Sequence, residues 1–286
     1  MLILCAYHFE SPMRYSVCFV LMMLLACSNR QKAIKMKGSD TEVNLAVVLA
    51  EHFYKVNKDH SLAISGGGSG LGIASLLNGQ ADIANSSRPL TAEEIKLFKQ
   101  RHIELKTIVF AEDATAFIVR SDFPADSIDV PTLAAILSGS SKTWQPVTGN
   151  PVPVNIYGRQ SNSGTHSFVR NKLGIQFSRE AKEMNGNAQI MEGIKADGSG
   201  IGYVGAGYIT HDSKVKVLKI SDSSGKPAIS PLDKKAINEQ RYFFQRPLYQ
   251  FVLSTSWNKV APFVDFEKSA EGQKIIRASG YYITQQ

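Results

Sequence analysis

Cysteine is nearly absent from this 286-residue chain: Cys5, Cys18 and Cys27 are the only three, and none follows residue 27. A body without thiols excludes a disulfide framework, a cysteine nucleophile and a thiolate metal site, so the fold must rest on a large hydrophobic core. The length allows one large domain or two lobes. Histidines in metal-binding pairs are missing as well, since His8, His52, His60, His102, His166 and His211 show no such spacing. His166, beside Thr165, reads as an exposed helix residue rather than a general base. The net charge is +7, and Glu10 and Arg14, the only formal charges before Cys27, cancel. The basic residues are scattered, in small groups such as Lys214, Lys216 and Lys219, with no basic stripe interleaved with aromatics. That argues against a nucleic-acid partner. A positive field suits a small anion or a nearby anionic membrane.

What is present starts with an apolar run, Val17 to Leu25, too short to span a bilayer. Met13-Arg14-Tyr15 precedes it and Leu24-Leu25-Ala26-Cys27 closes it, the layout of a secretory signal. The ending resembles the lipobox of bacterial lipoproteins, which implies cleavage before Cys27 and lipidation of Cys27. The segment before Met13 lacks a basic head, so Met13 is the expected start. Residues 1–26 are read as signal peptide and 27–35 as lipidated cysteine and polar tether.

The body repeats one local theme, glycines and hydroxyls at the start of a helix. Gly38-Ser39-Asp40-Thr41-Glu42 precedes apolar residues at helical spacing (Leu45, Val48, Leu49, Phe53, Val56), with Asp40 or Thr41 as N-cap. Ser65-Gly66-Gly67-Gly68-Ser69-Gly70 follows a short strand and precedes a second apolar helix. It lacks the Gly-Lys-Ser/Thr of a nucleotide-hydrolase phosphate loop. Asp82 to Ala84 reads as a strand end, and Asn85 to Arg88 as another cluster of donors. Thr91 and Glu94 have capping-box spacing, and Pro131 opens a helix that Ser138-Gly139 stops. Thr107 to Phe110 and Ala114 to Arg120 are two β-rich segments.

The longest version of the theme is Val154 to Arg170. Its strand ends at Arg159, Ser163 and Thr165 are both candidate N-caps, and Phe168, Val169 and Leu173 begin an apolar face. A helix start offers unpaired N–H groups and the positive end of the dipole, and an Arg fork adds charge, so this stretch suits an anion. Gly200 to Gly205 matches Gly-x-Gly-x-x-Gly, but the residues between the glycines look like a strand and no good helix follows. A dinucleotide site is therefore discounted. Lys219 to Asn238 is polar and loop-rich, Arg246 to Ser254 is a strong strand, and two helices, around Val260 to Lys268 and Ala270 to Ala278, end the chain. Repeated strand–helix units imply an α/β protein with largely parallel sheets. No base stands beside the loop serines, so they read as donors rather than nucleophiles.

Five motifs, Gly38 to Thr41, Gly67 to Ile73, Ala81 to Leu90, Gly158 to Thr165 and Gly200 to Gly205, occur in this order behind the lipobox-like ending. Together they resemble the PstS family, the phosphate-binding proteins of phosphate ABC transporters. The resemblance implies a two-lobed periplasmic-binding-protein fold, each lobe a mostly parallel sheet flanked by helices, with ligand in the cleft. Residues 36–115 plus 248–286 would form one lobe and 116–247 the other, crossing near Asp113 to Phe117 and Arg246 to Gln250. Carried over by position, Thr41, the N–H of Glu42, Ser69, Ser87, Arg159, Ser163, Gly164 and Thr165 would hold phosphate. Ser39, Asp40, Gly70 and Arg88 are further candidates, Arg88 either as a second charge at the site or as a surface pair.

Some members of the family carry, at the position of Ser87, an Asp that accepts a hydrogen bond from protonated phosphate. Other members share the serine variant. Asp40 and Glu42 are candidate acceptors in its place, which leaves a sulfate or molybdate binder as the alternative. The expected partners are inorganic phosphate, the permease subunits of an importer and the membrane through the lipid, with the protein an exported, membrane-anchored monomer. No cofactor, metal or enzymatic activity is expected. An exported phosphoester hydrolase using Ser163 or Ser69, and an adhesin or signalling lipoprotein of the same fold, are the remaining readings.

Overall fold

The computed structural model describes residues 33–209, 214–223 and 225–283. The expected leader, the lipidated Cys27, most of the tether and His211 lie outside the described residues. The first strand–helix units are β1 (Ile34–Gly38) with α1 (Val43–Val56), β2 (Leu62–Ser65) with α2 (Ser69–Leu77), and β3 (Ile83–Ser86) with α3 (Ala92–Gln100). Leu45, Leu49 and Phe53 recur every fourth residue along α1 and are buried, whereas Val56, at its last position, is exposed. The capping box of α3 forms as the spacing predicts: Glu94 N donates to Thr91 Oγ1 (3.2 Å), and Thr91 N donates to Glu94 Oε2 (2.8 Å).

A long strand, β4 (Leu105–Arg120), then runs from one half of the molecule into the other. Beyond it come β5 (Ser127–Asp129), α4 (Val130–Ser138), α5 (Gln145–Thr148), β6 (Asn155–Arg159), α6 (Gly164–Leu173), β7 (Lys182–Met184), α7 (Asn187–Ala196), β8 (Gly200–Gly205), β9 (Val215–Ser221) and α8 (Lys234–Asn238). The chain returns through β10 (Gln245–Leu253) and ends in α9 (Trp257–Lys268) and α10 (Ala270–Ala278). Pro131 lies in the first turn of α4 and Gly139 ends it in the left-handed conformation, as the sequence indicates.

Ten strands form one curled sheet in the order β2-β1-β3-β10-β4-β8-β6-β7, with β9 bridging β4 and β5. Every pair without β4 or β10 is parallel, as strand–helix alternation requires; every pair that includes either is antiparallel. β4 pairs with β10 up to Ala114 and with β8 from Thr115 onward. Helices pack on both faces of each half. In the first half, Leu45, Leu248, Val260 and Phe263 form one core, and Ile73, Leu76, Phe98 and Phe251 form another on the opposite face. In the second half, Phe117, Leu133, Trp144, Val169 and Phe244 fill one face, while Ile118, Tyr157, Ile190 and Val204 fill the other.

The two β-rich segments are one strand: Asp113, between them, lies inside the sheet and pairs with Arg246 (2.8 Å). Lys219 to Asn238 is loop-rich, with the end of β9 at its start and α8 at its end. The Gly-x-Gly-x-x-Gly segment is β8, a fully buried strand rather than a nucleotide turn.

Candidate functional site

The loops at the carboxyl ends of β1, β2, β3 and β6 converge, which is where α/β sheets place their ligands. From the first half, a short 3-10 turn, Asp40–Glu42, links β1 to α1. Neither Asp40 nor Thr41 caps α1: both oxygens are taken by the opposite half. Asp40 Oδ2 accepts from Asn187 N (2.7 Å) and Nδ2 (3.0 Å), and Thr41 Oγ1 shares a hydrogen bond with Thr165 Oγ1 (3.0 Å). Ser69, buried at the start of α2, accepts from Ser87 N (3.1 Å), and its hydroxyl lies 3.5 Å from that of Ser87. Ser39 donates to Ser87 Oγ (3.1 Å).

From the second half, Ser163 is the N-cap of α6, accepting from Thr165 N (3.2 Å) and His166 N (3.5 Å); the alternative cap, Thr165, is instead inside the helix. Gly164 faces the first half so closely that a Cβ there would collide with the hydroxyls of Ser69 and Ser87. The backbone approach that glycine permits therefore joins the walls. Gly70 N donates to Asn162 O (3.0 Å) and Asn162 Nδ2 donates to Gly67 O (3.1 Å), which extends the seam.

Arg159, at the end of β6, is 2% exposed. Its Nη2 donates to Asn185 O (3.0 Å), and its Nη1 lies 3.5 Å from Asp40 Oδ2, an ion-pair contact without a hydrogen bond. Nε and Nη1 make no hydrogen bond with the described residues. Burial lowers its pKa, with the nearby Asp40 carboxylate acting in the opposite sense. A buried guanidinium with two unused donors is costly unless it meets an anion.

Of the sequence-predicted residues, Ser39, Thr41, Glu42, Ser69, Ser87, Arg159, Ser163 and Thr165 are all buried in or against this seam, with Gly164 between its walls. Arg88 is not brought there, because both its Nη atoms are held by Glu94 (2.8 Å each), which depresses the pKa of Glu94 against the opposing effect of burial. Asp40 stands beside Arg159, and the N–H of Gly70 is taken by Asn162. His166 is half-buried rather than exposed, its ring 4.7 Å from that of Phe177, and burial lowers its pKa. Phe177, itself packed against the core that holds Val169, receives the ring.

Sequence reasoning missed Arg246. Its Nη2 donates to Asp113 Oδ2 (2.8 Å), Thr165 Oγ1 (3.0 Å) and Thr41 Oγ1 (3.5 Å), and its Nη1 to Ser87 O (3.3 Å). One signal was there: Arg246 shares strand parity with Leu248, Gln250 and Val252, all buried. Asp113 is fully buried, and burial raises its pKa while Arg246 opposes that shift. Burial raises the pKa of Glu42 well above the usual range, Asp113 and Glu267 adding to that and Ser39 and Arg246 opposing it.

The site thus presents hydroxyls, helix-start N–H groups and buried guanidinium donors, which is chemistry for holding an oxyanion. The hydroxyls of Ser69 and Ser163 bond backbone N–H groups and Ser87 rather than a base. Among the described residues no group of three or more His, Cys, Asp or Glu could hold a metal ion.

The family model described as a PBP superfamily domain matches residues 27–266. The phosphate-binding protein PstS of Staphylococcus aureus (strain USA300) is 30% identical over 255 residues, 86% of this chain and 77% of that protein. The protein of the same name from Borreliella burgdorferi is 29% identical over 271 residues, 91% and 93% of the two chains. Among solved structures, an ABC-type phosphate transport receptor from Vibrio cholerae superposes with a TM-score of 0.69 at 24% identity, covering 88% of this chain and 100% of that one.

Proposed function

The chain belongs to the PBP superfamily and is a homologue of the PstS phosphate-binding proteins; from that premise we propose that it binds inorganic phosphate between its two halves and hands it to an ABC importer. It is a substrate-binding protein and not an enzyme. The observation that carries the reading is buried Arg159, whose Nε and Nη1 have no hydrogen-bond partner among the described residues, beside the hydroxyl-lined helix starts of both halves. Thr41, the N–H of Glu42, Ser69, Ser87, Arg159 and Ser163 to Thr165 are the proposed ligands, with Arg246 joining them at the crossing strand. Charge-assisted hydrogen bonds contribute about 1.5–3 kcal/mol each, so a handful exceed the roughly 8 kcal/mol of micromolar binding, leaving a margin for desolvating the anion.

Residues 36–115 plus 248–286 and residues 116–247 are the proposed lobes; the exchange of β10 for β8 along β4 supports that border. Phosphate touching both lobes would favour the joined arrangement, which lets a permease distinguish loaded from unloaded protein. The protein is proposed to act as a monomer outside the cytoplasm, held to the membrane by a lipid on Cys27. The lipobox-like ending supports this anchor, and the family match begins at residue 27. A sulfate or molybdate binder is the second reading, favoured by Ser87 where some relatives have an acceptor Asp. Calorimetric titration of the purified protein with phosphate, sulfate and molybdate separates the two. Micromolar or tighter phosphate binding is expected; tight binding of another oxyanion with none of phosphate would overturn the proposal.

A further inference from the structure

The ligand loops of the first half lie at the carboxyl ends of β1, β2 and β3, and the opposite end of that half is where the chain enters the fold. Ile34 N donates there to Ser61 O (2.8 Å), and Lys259 Nζ donates to Ala33 O (2.9 Å) and Asp82 Oδ2 (2.7 Å). The last turns of α1, α2 and α3 and the start of β4 share this end: Arg101 Nη1 donates to Asn78 Oδ1 (3.2 Å), and Ser254 N to Glu104 O (2.9 Å). Residues 33–115 and 248–283 carry thirteen Lys and Arg against thirteen Asp and Glu, so the half as a whole is neutral. Its charge is unevenly placed. Lys55, Lys58, Lys99, Arg101, Lys106 and Lys259 stand at this end against Asp59, Asp82 and Glu104, an excess of three positive charges that the rest of the half offsets. Lys55, Lys58, Lys99 and Lys106 are exposed and form no ion pair among the described residues.

Aromatic and apolar groups lie among these lysines. Val56, the last residue of α1, is 72% exposed and Tyr54 is 50% exposed, with Lys58 Nζ 4.2 Å from the centre of the Tyr54 ring. Lys106 Nζ stands 4.7 Å from the centre of the half-buried Trp257 ring. Rings with an ammonium group beside them suit a lipid–water interface, where the ring sits among headgroups and the cation meets their anions. Between Cys27, the proposed lipid attachment, and Ala33 there are six peptide units, which span at most about 22 Å.

We propose that this end of the first half rests on a membrane surface of anionic lipid. The unpaired lysines match headgroup charge, and the short link to Cys27 keeps the two within reach, so that even a weak attraction acts at high effective concentration. The inference rests on the lipid-anchor reading of Cys27 and deepens it. A lipid alone leaves the domain free to turn; the basic face gives it one orientation, with the ligand loops at the far end of β1 turned away from the bilayer.

Co-sedimentation with vesicles tests the face without the anchor, using residues 27–286 with Cys27→Ser so that no lipid is attached; every described strand and helix lies within that chain. Vesicles of phosphatidylcholine mixed with phosphatidylglycerol should bind the protein at least tenfold more strongly than phosphatidylcholine alone, and high salt should abolish the difference. The triple change Lys55→Gln, Lys58→Gln and Lys106→Gln should weaken that binding at least tenfold. Lys219→Gln, Lys234→Gln and Lys235→Gln, the same loss of charge on the second half, should change it less than twofold. Equal binding to both kinds of vesicle, or equal losses in the two triple variants, would overturn the proposal. Thermal unfolding checks that each variant is folded, and the single change Lys58→Glu replaces a triple variant that is not. Mass spectrometry of Cys27 in protein extracted from membranes reads the anchor separately: an unmodified Cys27 would remove the lipid reading, and the vesicle comparison would still decide the face.

Discussion

Two buried arginines border the same seam under opposite conditions. Arg246, on the strand that joins the halves, forms two hydrogen bonds to Asp113 and others to Thr41, Thr165 and the Ser87 carbonyl. Arg159, on β6, has a single hydrogen bond to Asn185 O, a looser ion pair with Asp40, and two donors unused. The first charge is largely balanced within the protein by Asp113, whichever anion it also meets; the second, in the proposed reading, is left for the anion. A charge-balanced arginine stabilises whether or not ligand is bound, whereas an under-satisfied one stores a desolvation cost that an anion relieves.

The largest test of this contrast is Arg246→Met, which strands buried Asp113 and should cost about 3–5 kcal/mol of folding stability in urea denaturation. A loss confined to phosphate affinity, with stability intact, would erase the distinction between the two arginines. The converse change, Arg159→Met, should weaken phosphate binding by about 3 kcal/mol, roughly a hundredfold by calorimetry, and cost ligand-free stability no more than about 1 kcal/mol. Unfolding of that variant at moderate urea would place Arg159 with Arg246 as a structural charge.

A third test lies on the Arg246 strand, where Gln250 donates to Glu267 (2.8 Å). Burial pushes the pKa of Glu267 up to about 8 from 4.5. Between those values the folded protein holds a proton that the unfolded chain has released. This contribution to stability is therefore full below pH ~4.5 and is lost as the pH rises to ~8. Stability should fall by about 2 kcal/mol from pH 5 to 8, roughly half of a full one-proton linkage because local relaxation hydrates the charge, and Glu267→Gln should flatten that slope. A slope that persists in the variant would assign it to other groups. The smallest effect is expected from Asp40→Asn, which removes the looser ion pair of Arg159: about 1 kcal/mol of stability, measured by thermal unfolding. A loss matching that of Arg246→Met would show that Arg159 is as fully paired as its counterpart.

Much of this contrast could be read before any coordinates. Arg159 stood out because local sequence places it at a strand end four residues before a helix cap. Arg246 did not, because it lies in an ordinary-looking strand and its partners are distant: Asp113 is 133 residues away and Thr41 is 205. Asp113 was named only as the start of a strand crossing, and its pairing with Arg246 was hidden for the same reason. Asp40 and Thr41 were plausible caps by type, yet both oxygens were drawn to Asn187 and Thr165 in the other half.

The sequence by itself determined what depends on near neighbours. The capping box of Thr91 and Glu94, the Ser163 cap, the Pro131 helix start and the repeated glycine–hydroxyl junctions are set by bonds spanning a few residues, so composition and spacing suffice. Only the tertiary structure decided which polar groups would be spent on one another. It committed Arg88 to Glu94, brought Arg246 to the hydroxyls, left Arg159 with donors to spare, and pointed Ser39 at Ser87. Those outcomes depend on which groups folding buries together, because a polar group removed from water takes the partner that long-range packing supplies.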